Sequence, residues 1–308
     1  MLNRRKFLIG TGAAALGAMV IPKMASAFFA EAGQHPLGVQ LFTLFGKIED
    51  DVKGNLKKIA DIGYTEVESA FSKLPRYYGM EPKDFAALCK EVGLSWKSHH
   101  VLGAPFQMPK GYKMPTGADG KPMTMPAHMN NLRDDMQKIV DEAAEGGIPY
   151  LVCANIPTGT IDEIKSSIEI LNKTGEACNK VKIQLCYHNH DMEFKNIEGQ
   201  IPYHMLLEGT DAKLVKMELD LAWATKAGVK PVELFKAHPG RFPLLHVKDI
   251  SADFKTLEPV GEGVVDFKDA FANAKIAGVK HYFVEHDMPA DAFASIATSY
   301  KNLRAMGV

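Results

Sequence analysis

Cysteine is scarce in this sequence: Cys89, Cys153, Cys178 and Cys186 are the only four in 308 residues, and no CxxC pair occurs. So few and so scattered, they exclude a disulfide scaffold. An excess of positive charge is missing too. Lys+Arg number 36 against 37 Asp+Glu, a formal charge of −1, which argues against a nucleic-acid binder. Glycine-rich phosphate loops are absent where an open α/β sheet would carry one, because the turn LFTLFGKIED holds neither GxGxxG nor GxxxxGK[ST]. What remains is an ordinary soluble globular mixture, 46% apolar and 24% charged. Its length allows two smaller domains, or one large one, since barrels of roughly 250 residues fold as a unit.

The first residues must be set aside before the rest is read. MLNRRKFLIGTGAAALGAMVIPKMASA has a basic start, an apolar stretch from Phe7 to Ile21 and then Ala25-Ser26-Ala27, the layout of a secretory signal with an A-x-A cleavage site. Arg4-Arg5 followed by Lys6-Phe7-Leu8 resembles a twin-arginine (Tat) export signal. The competing reading, an uncleaved membrane anchor, needs roughly 20 apolar residues, more than this stretch offers. The expectation is a signal over 1–27 and a single domain over 28–308, exported to the periplasm and touching the membrane only through its signal. Cleavage would remove Arg4, Arg5, Lys6 and Lys23 and no acid, so the formal −1 becomes −5. The mature domain is mildly acidic.

From Leu37 onward, short β-rich runs alternate with longer amphipathic ones, often with a glycine at the joint: Gly63, Gly93, Gly147 and Gly278. Glycine takes positive φ cheaply at a helix C-terminus, so the chain can turn directly into a strand. Strands are expected at 37–42, 64–68, 95–101, 150–154, 182–188, 214–220, 243–248 and 281–285. Helices are expected at 50–62, 82–92, 128–145, 161–179, 231–237, 266–277 and 290–306. Eight strand-helix units in this length make an α/β fold of the (β/α)8 TIM-barrel kind. One connection is long: residues 104–126 combine five prolines with Met108, Met114, Met123 and Met125. Following strand three, this segment would lie on the catalytic face, either as a lid over a ligand or as a surface excursion.

Residues pointing inward at the C-terminal strand ends build a barrel's active site, and alternation along a strand allows parity to be checked. LCYHNHDMEF puts His188 and His190 on one side, MELDLAW pairs Glu218 with Asp220, LLHVKD pairs His246 with Lys248, and YFVEHD ends on Glu285. Singly, each has a plain explanation; Asp220 before LAWATKAG could be a helix N-cap. Together they would converge His188, Asp220, His246 and Glu285 at one side of the mouth. Two imidazoles and two carboxylates suit one divalent ion, Mn²⁺, Co²⁺, Zn²⁺, Fe²⁺ or Ni²⁺. Without a cation, two buried carboxylates would be costly unless protonated or paired.

These strings, with GVQLFTL, GYTEVES and the His-bearing end of strand three, resemble the xylose-isomerase-like TIM barrels in order and spacing from about Leu37 to the end. That group contains sugar phosphate isomerases/epimerases, inosose dehydratases and, more distantly, the endonuclease IV class. The resemblance implies a metal held from strands five to eight by Glu, Asp, His and Glu, the last three matching Asp220, His246 and Glu285. The first position is here His188, followed by Asn189, a YHNH variant. Because the epimerases use both glutamates to move a proton, this departure weakens that carry-over. It leaves open whether His188 ligates or His190 does so with His188 behind it. Many relatives associate through barrel helices, so a homo-oligomer is compatible with the resemblance.

A metal-polarised carbonyl acidifies the adjacent C–H, and a carboxylate or imidazole can then remove that proton. Isomerisation, epimerisation and β-elimination share this step. Glu285 is expected as base, with His188 or His190 as second proton carrier on a sugar and Lys248 stabilising negative charge. Glu68, His100 and Trp223 are weaker candidates for substrate contact; Glu68 suits an ion pair and Trp223 suits packing equally well. The alternatives are a lyase or hydratase on 3-keto-glycosides or keto-inositols, and an exported sugar-binding barrel without catalysis. An endonuclease would need further ligands, for which only His99, His100 and Glu68 are available.

Overall fold

The computed structural model describes residues 35–106 and 129–308. Residues 1–27, expected to be a signal, and the proline-rich connection from residue 107 on lie outside the described residues. At the four glycine joints φ is positive, +121° at Gly63, +90° at Gly93, +70° at Gly147 and +83° at Gly278. Each joint launches a strand. The strands are β1 (Leu37–Gln40), β2 (Glu66–Ser69), β3 (Ser95–Leu102), β4 (Tyr150–Asn155), β5 (Gln184–His188), β6 (Val215–Asp220), β7 (Leu244–Val247) and β8 (His281–Val284). They pair in parallel, each with its sequence neighbour, and β8 returns to β1 to close the barrel. The protein is a (β/α)8 TIM barrel.

Local chemistry explains where the boundaries differ from expectation. Strand β1 stops early because Leu41–Leu44 wind into a 3-10 turn capped by the Gln40 side chain, which accepts from the Phe42 N–H. Strand β5 starts late because Lys182 sits at φ +63°. The helix expected over 266–277 is two, Phe267–Ala272 and Ala274–Ala277, and helices Pro202–Gly209 and Leu221–Lys226 were not singled out by the pattern. After β7 the chain forms a small hairpin, Asp249–Ile250 with Leu257–Glu258. The buried Asp249 carboxylate organises it by accepting from the N–H groups of Ile250, Gly261, Gly263 and Val265.

Two apolar layers set the height of the site. Between strands and helices lies the main core, with Leu56, Ile59, Leu171, Ile296 and Leu303 among its buried members. Inside the barrel, Val152, Cys186, Leu244 and Phe283 form a dry floor. Gly38 gives Phe283 its room, since a Cβ there would come within 2.4 Å of the ring. Above this floor the interior turns polar. A register shift on β3 helps: Val67 pairs with Trp96 but Glu68 pairs with Ser98, so Lys97 is an extra residue. Trp96 therefore packs outside against Phe85 and Tyr77, while Ser98 and His100 turn to the barrel axis, the re-aiming that a bulge provides. No helix among the described residues is long and apolar enough to cross a membrane.

Candidate metal centre

Directly above the apolar floor, two imidazoles and two carboxylates close a ring. His100 Nε2 lies 2.7 Å from Glu218 Oε2 and 3.1 Å from Glu68 Oε1. His246 Nε2 lies 2.6 Å from Glu68 Oε1 and 3.1 Å from Glu218 Oε2. The two rings stack nearly parallel, 5.0 Å apart. Glu68 also accepts from Gln40 Nε2 and Ser98 Oγ, so both its oxygens are engaged, and it is fully buried. Burial opposes its charge, but His100 and His246 outweigh it and hold Glu68 well below the usual carboxylate range. Glu218 goes the other way: burial, then repulsion from Glu68, pushes it up to about 7. Burial also opposes a charge on His100, yet Glu68 and Glu218 raise it to about 9.

One residue pair further along the strands lies a second, equally buried group. Asp220 ends β6, and its Oδ1 caps helix Leu221–Lys226 by accepting from the Trp223 N–H. The N-cap reading of Asp220 is thus correct for one oxygen only. Its Oδ2 is buried without a hydrogen-bond partner among the described residues, although it lies 3.2 Å from the Lys248 ammonium, within ion-pair reach but off hydrogen-bond geometry. Glu285 Oε2 lies 2.7 Å from His246 Nδ1 and 2.7 Å from Lys248 Nζ. Burial opposes its ionisation, but Lys248 and His246 hold it well below the ordinary range. With both nitrogens facing carboxylates, His246 is held well above the usual imidazole range despite its burial. His188 is held well below that range by burial and by the neighbouring His246 and His100.

The structure brings four expected residues together: single donor atoms of His188, Asp220, His246 and Glu285 all lie within 4.8 Å of one another, and all four residues are buried. This set fits a divalent ion on three counts. It is the N/O mixture such ions take, it contains an orphaned buried carboxylate oxygen, and His246 presents Nδ1 to it while Nε2 is oriented by Glu68, the arrangement usual for a ligating histidine. His188 is similarly held, its Nδ1 3.1 Å from Glu218 Oε2. A second group, His100, His188, Glu218 and His246, also meets the distance criterion, but there Glu218 Oε2 already bridges the imidazole nitrogens.

The remaining expectations divide. Lys248 is buried at the mouth, with Glu285, Asp220 and Asp287 around its ammonium. His190 is not among the grouped donors; its side chain is 41% exposed, with its ring 5.0 Å from that of His188. Trp223 stands 6.3 Å from the His190 ring and 5.1 Å from Lys248 Nζ, and its indole N–H has no hydrogen-bond partner among the described residues. Glu68 and His100, the weaker candidates for substrate contact, stand in the ring beneath the mouth: Glu68 is ion-paired, the alternative its position also suited, and His100 turns Nε2 to Glu68 and Glu218. Sequence reasoning gave Glu218 no role although parity placed it beside Asp220, and it missed Asp287, which shares the parity of Glu285. Gln40 carried no signal, since an amide at a strand end is common.

The barrel thus carries, at the C-terminal mouth where such folds place their sites, a cluster of N/O donors that could hold a metal ion. Residues 56–306 match the family described as xylose isomerase-like TIM barrel, and the chain belongs to that family. It is 26% identical to a sugar phosphate isomerase/epimerase from Parabacteroides distasonis ATCC 8503, with a TM-score of 0.72 over 92% of this chain and 98% of that one. An IolI protein with a bound zinc atom shares the fold at 16% identity, with a TM-score of 0.65 over 89% of this chain and 98% of that one. An inosose dehydratase of Geobacillus kaustophilus (strain HTA426) is 31% identical over 111 residues, 36% of this chain. The match spans only 35% of that relative's length.

Proposed function

We propose that the protein is a divalent-metal-dependent enzyme that isomerises or epimerises a sugar or sugar derivative by moving a proton on the carbon next to a carbonyl. The convergence of His188, Asp220, His246 and Glu285 at the buried barrel mouth carries this reading. These four residues would hold the ion, which when bound supplies Lewis-acid polarisation of the substrate carbonyl.

The chain's own groups divide the remaining work. Glu285 is ionised at neutral pH and accepts the proton on the carboxylate oxygen that is not turned to His246 and Lys248. Its pairing with Lys248 makes it a weak base, so base strength depends on where Lys248 directs its hydrogen bonds. The half-exposed His190, beside His188 and outside the proposed ligand set, carries the second proton and exchanges it with solvent. The Lys248 ammonium stabilises negative charge on the substrate oxygen. Trp223 offers a ring face to the sugar and its free N–H to a hydroxyl. The test is proton exchange in D2O with a ketose substrate: the metal-loaded protein incorporates deuterium next to the carbonyl, and Glu285→Gln does not. Unmutated incorporation by Glu285→Gln would remove Glu285 as the base.

A lyase reading is favoured by the two inosose dehydratase relatives and by His188 in place of a second glutamate. It shares the proton abstraction and then expels a β-substituent, whose electrons leave with it as the C=C bond forms. Incubation with a 3-keto-glycoside or keto-inositol discriminates: loss of aglycone or water supports the lyase, an isomeric ketose the isomerase. Export through the Tat pathway to the periplasm is part of the proposal, motivated by Arg4-Arg5 and the A-x-A site. Replacing both arginines with lysine and fractionating cells tests it; undiminished periplasmic protein would contradict Tat export.

A further inference from the structure

Lys248 has three carboxylate neighbours, and they are not equivalent. Its Nζ lies 2.7 Å from Glu285 Oε2 and 3.2 Å from Asp220 Oδ2, both oxygens of the proposed ligand set. It also lies 3.1 Å from each oxygen of Asp287, a residue outside that set. The ammonium is buried, the Asp287 side chain 27% exposed at the rim. Three carboxylates crowd around one ammonium, so the negative charge at the mouth exceeds what Lys248 alone can neutralise. An ammonium and a metal ion thus draw on the same two oxygens and repel each other across a site of low dielectric. The lysine stem is flexible enough to shift its three donors among neighbouring oxygens. Asp287, gripping it with both oxygens, offers a position in which the charge is neutralised without Glu285 or Asp220.

From this arrangement we infer that Lys248 and Asp287 together set the metal affinity of the barrel mouth. Lys248 acts as a tethered cation competing for the ligand oxygens, and Asp287 is the positioning residue that draws it aside. The inference rests on the proposed ligand set, and it makes a prediction that a merely structural ion pair would not: the two residues shift metal affinity in opposite directions.

The test is chelator competition for Zn²⁺ on the full chain, with folding of each variant checked by circular dichroism. Lys248→Met tightens Zn²⁺ binding about tenfold and Asp287→Asn loosens it about tenfold, the scale of effects just outside a ligand shell. Because Asp287 acts through Lys248, the double variant matches Lys248→Met to within about twofold. If Lys248→Met does not fold, Lys248→Gln replaces it, and Asp287→Asn stands as an independent readout. Looser binding by the Lys248 variants, or unchanged binding by Asp287→Asn, overturns the inference. Asp220→Asn separates the two levels of argument. If it leaves Zn²⁺ affinity unchanged, the ligand set is wrong and the inference falls with it; if it loosens binding while Lys248→Met does not tighten it, only the inference falls.

Discussion

The lower ring and the upper mouth of the barrel use the same residue types to opposite ends. Below, Glu68, Glu218, His100 and His246 Nε2 alternate acid and base in a closed circuit of two carboxylates and two imidazoles, with Glu218 Oε1 the ring oxygen left without a hydrogen-bond partner among the described residues. Above, Asp220, Glu285 and Asp287 outnumber the one ammonium of Lys248, and Asp220 Oδ2 lacks a hydrogen bond among the described residues. A buried circuit with matched partners fixes geometry; a buried surplus of carboxylate calls for a cation. His246 belongs to both layers, one nitrogen in each, and so transmits the order of the lower to the chemistry of the upper.

Breaking the upper layer should have the largest functional effect with little structural cost. Asp220→Asn keeps an N-cap of similar strength but weakens an anionic ligand, and is expected to reduce Zn²⁺ affinity by more than about 100-fold, beyond the range seen for groups outside the ligand shell, with the melting temperature of the metal-free protein nearly unchanged. Breaking the lower layer should invert that pattern. Glu68→Ala leaves His246 and His100 without their shared carboxylate and is expected to cost about 3–5 kcal/mol in denaturant unfolding, the scale for a buried pair losing one member. A stable Glu68→Ala protein would show that the ring contributes little.

The pH dependence sharpens the contrast further. His100 is raised from 6.5 to about 9 in the folded protein. The folded state therefore holds this proton more tightly than the unfolded one, and the resulting stability is fully present below pH 6.5 and lost as pH rises through about 9. The metal-free protein should melt at progressively lower temperature across that window, and His100→Asn should flatten the slope. The smallest structural effect is expected at His190: because the side chain is half exposed, His190→Ala should change stability by less than about 0.5 kcal/mol, while proton exchange with substrate slows. Unchanged exchange would remove His190 from the proton path.

The upper layer was more legible in the sequence than the lower. Strand ends rich in His, Asp, Glu and Lys announce themselves by parity, and Asp220, His246, Lys248 and Glu285 stand where alternation from Glu218, Leu244 and Phe283 requires. The lower ring depended on a feature that alternation hides: the extra residue Lys97, which turns Ser98 and His100 inward although Trp96 faces out. Glu68 could not be recognised as a partner of His246, 178 positions away, because their meeting depends on closure of the barrel. The glycine joints were readable because positive φ has few residue solutions. The split at Asn273 and the early end of β1 were not, since both follow from side-chain caps that compete with an otherwise regular pattern.

The most direct test of the account is the anomalous-scattering map of crystals soaked in Zn²⁺. It should show one peak at the mouth, about 2.0–2.2 Å from a nitrogen each of His188 and His246 and from oxygens of Asp220 and Glu285. A peak inside the ring of Glu68, His100 and Glu218, or no peak at the mouth, would contradict it.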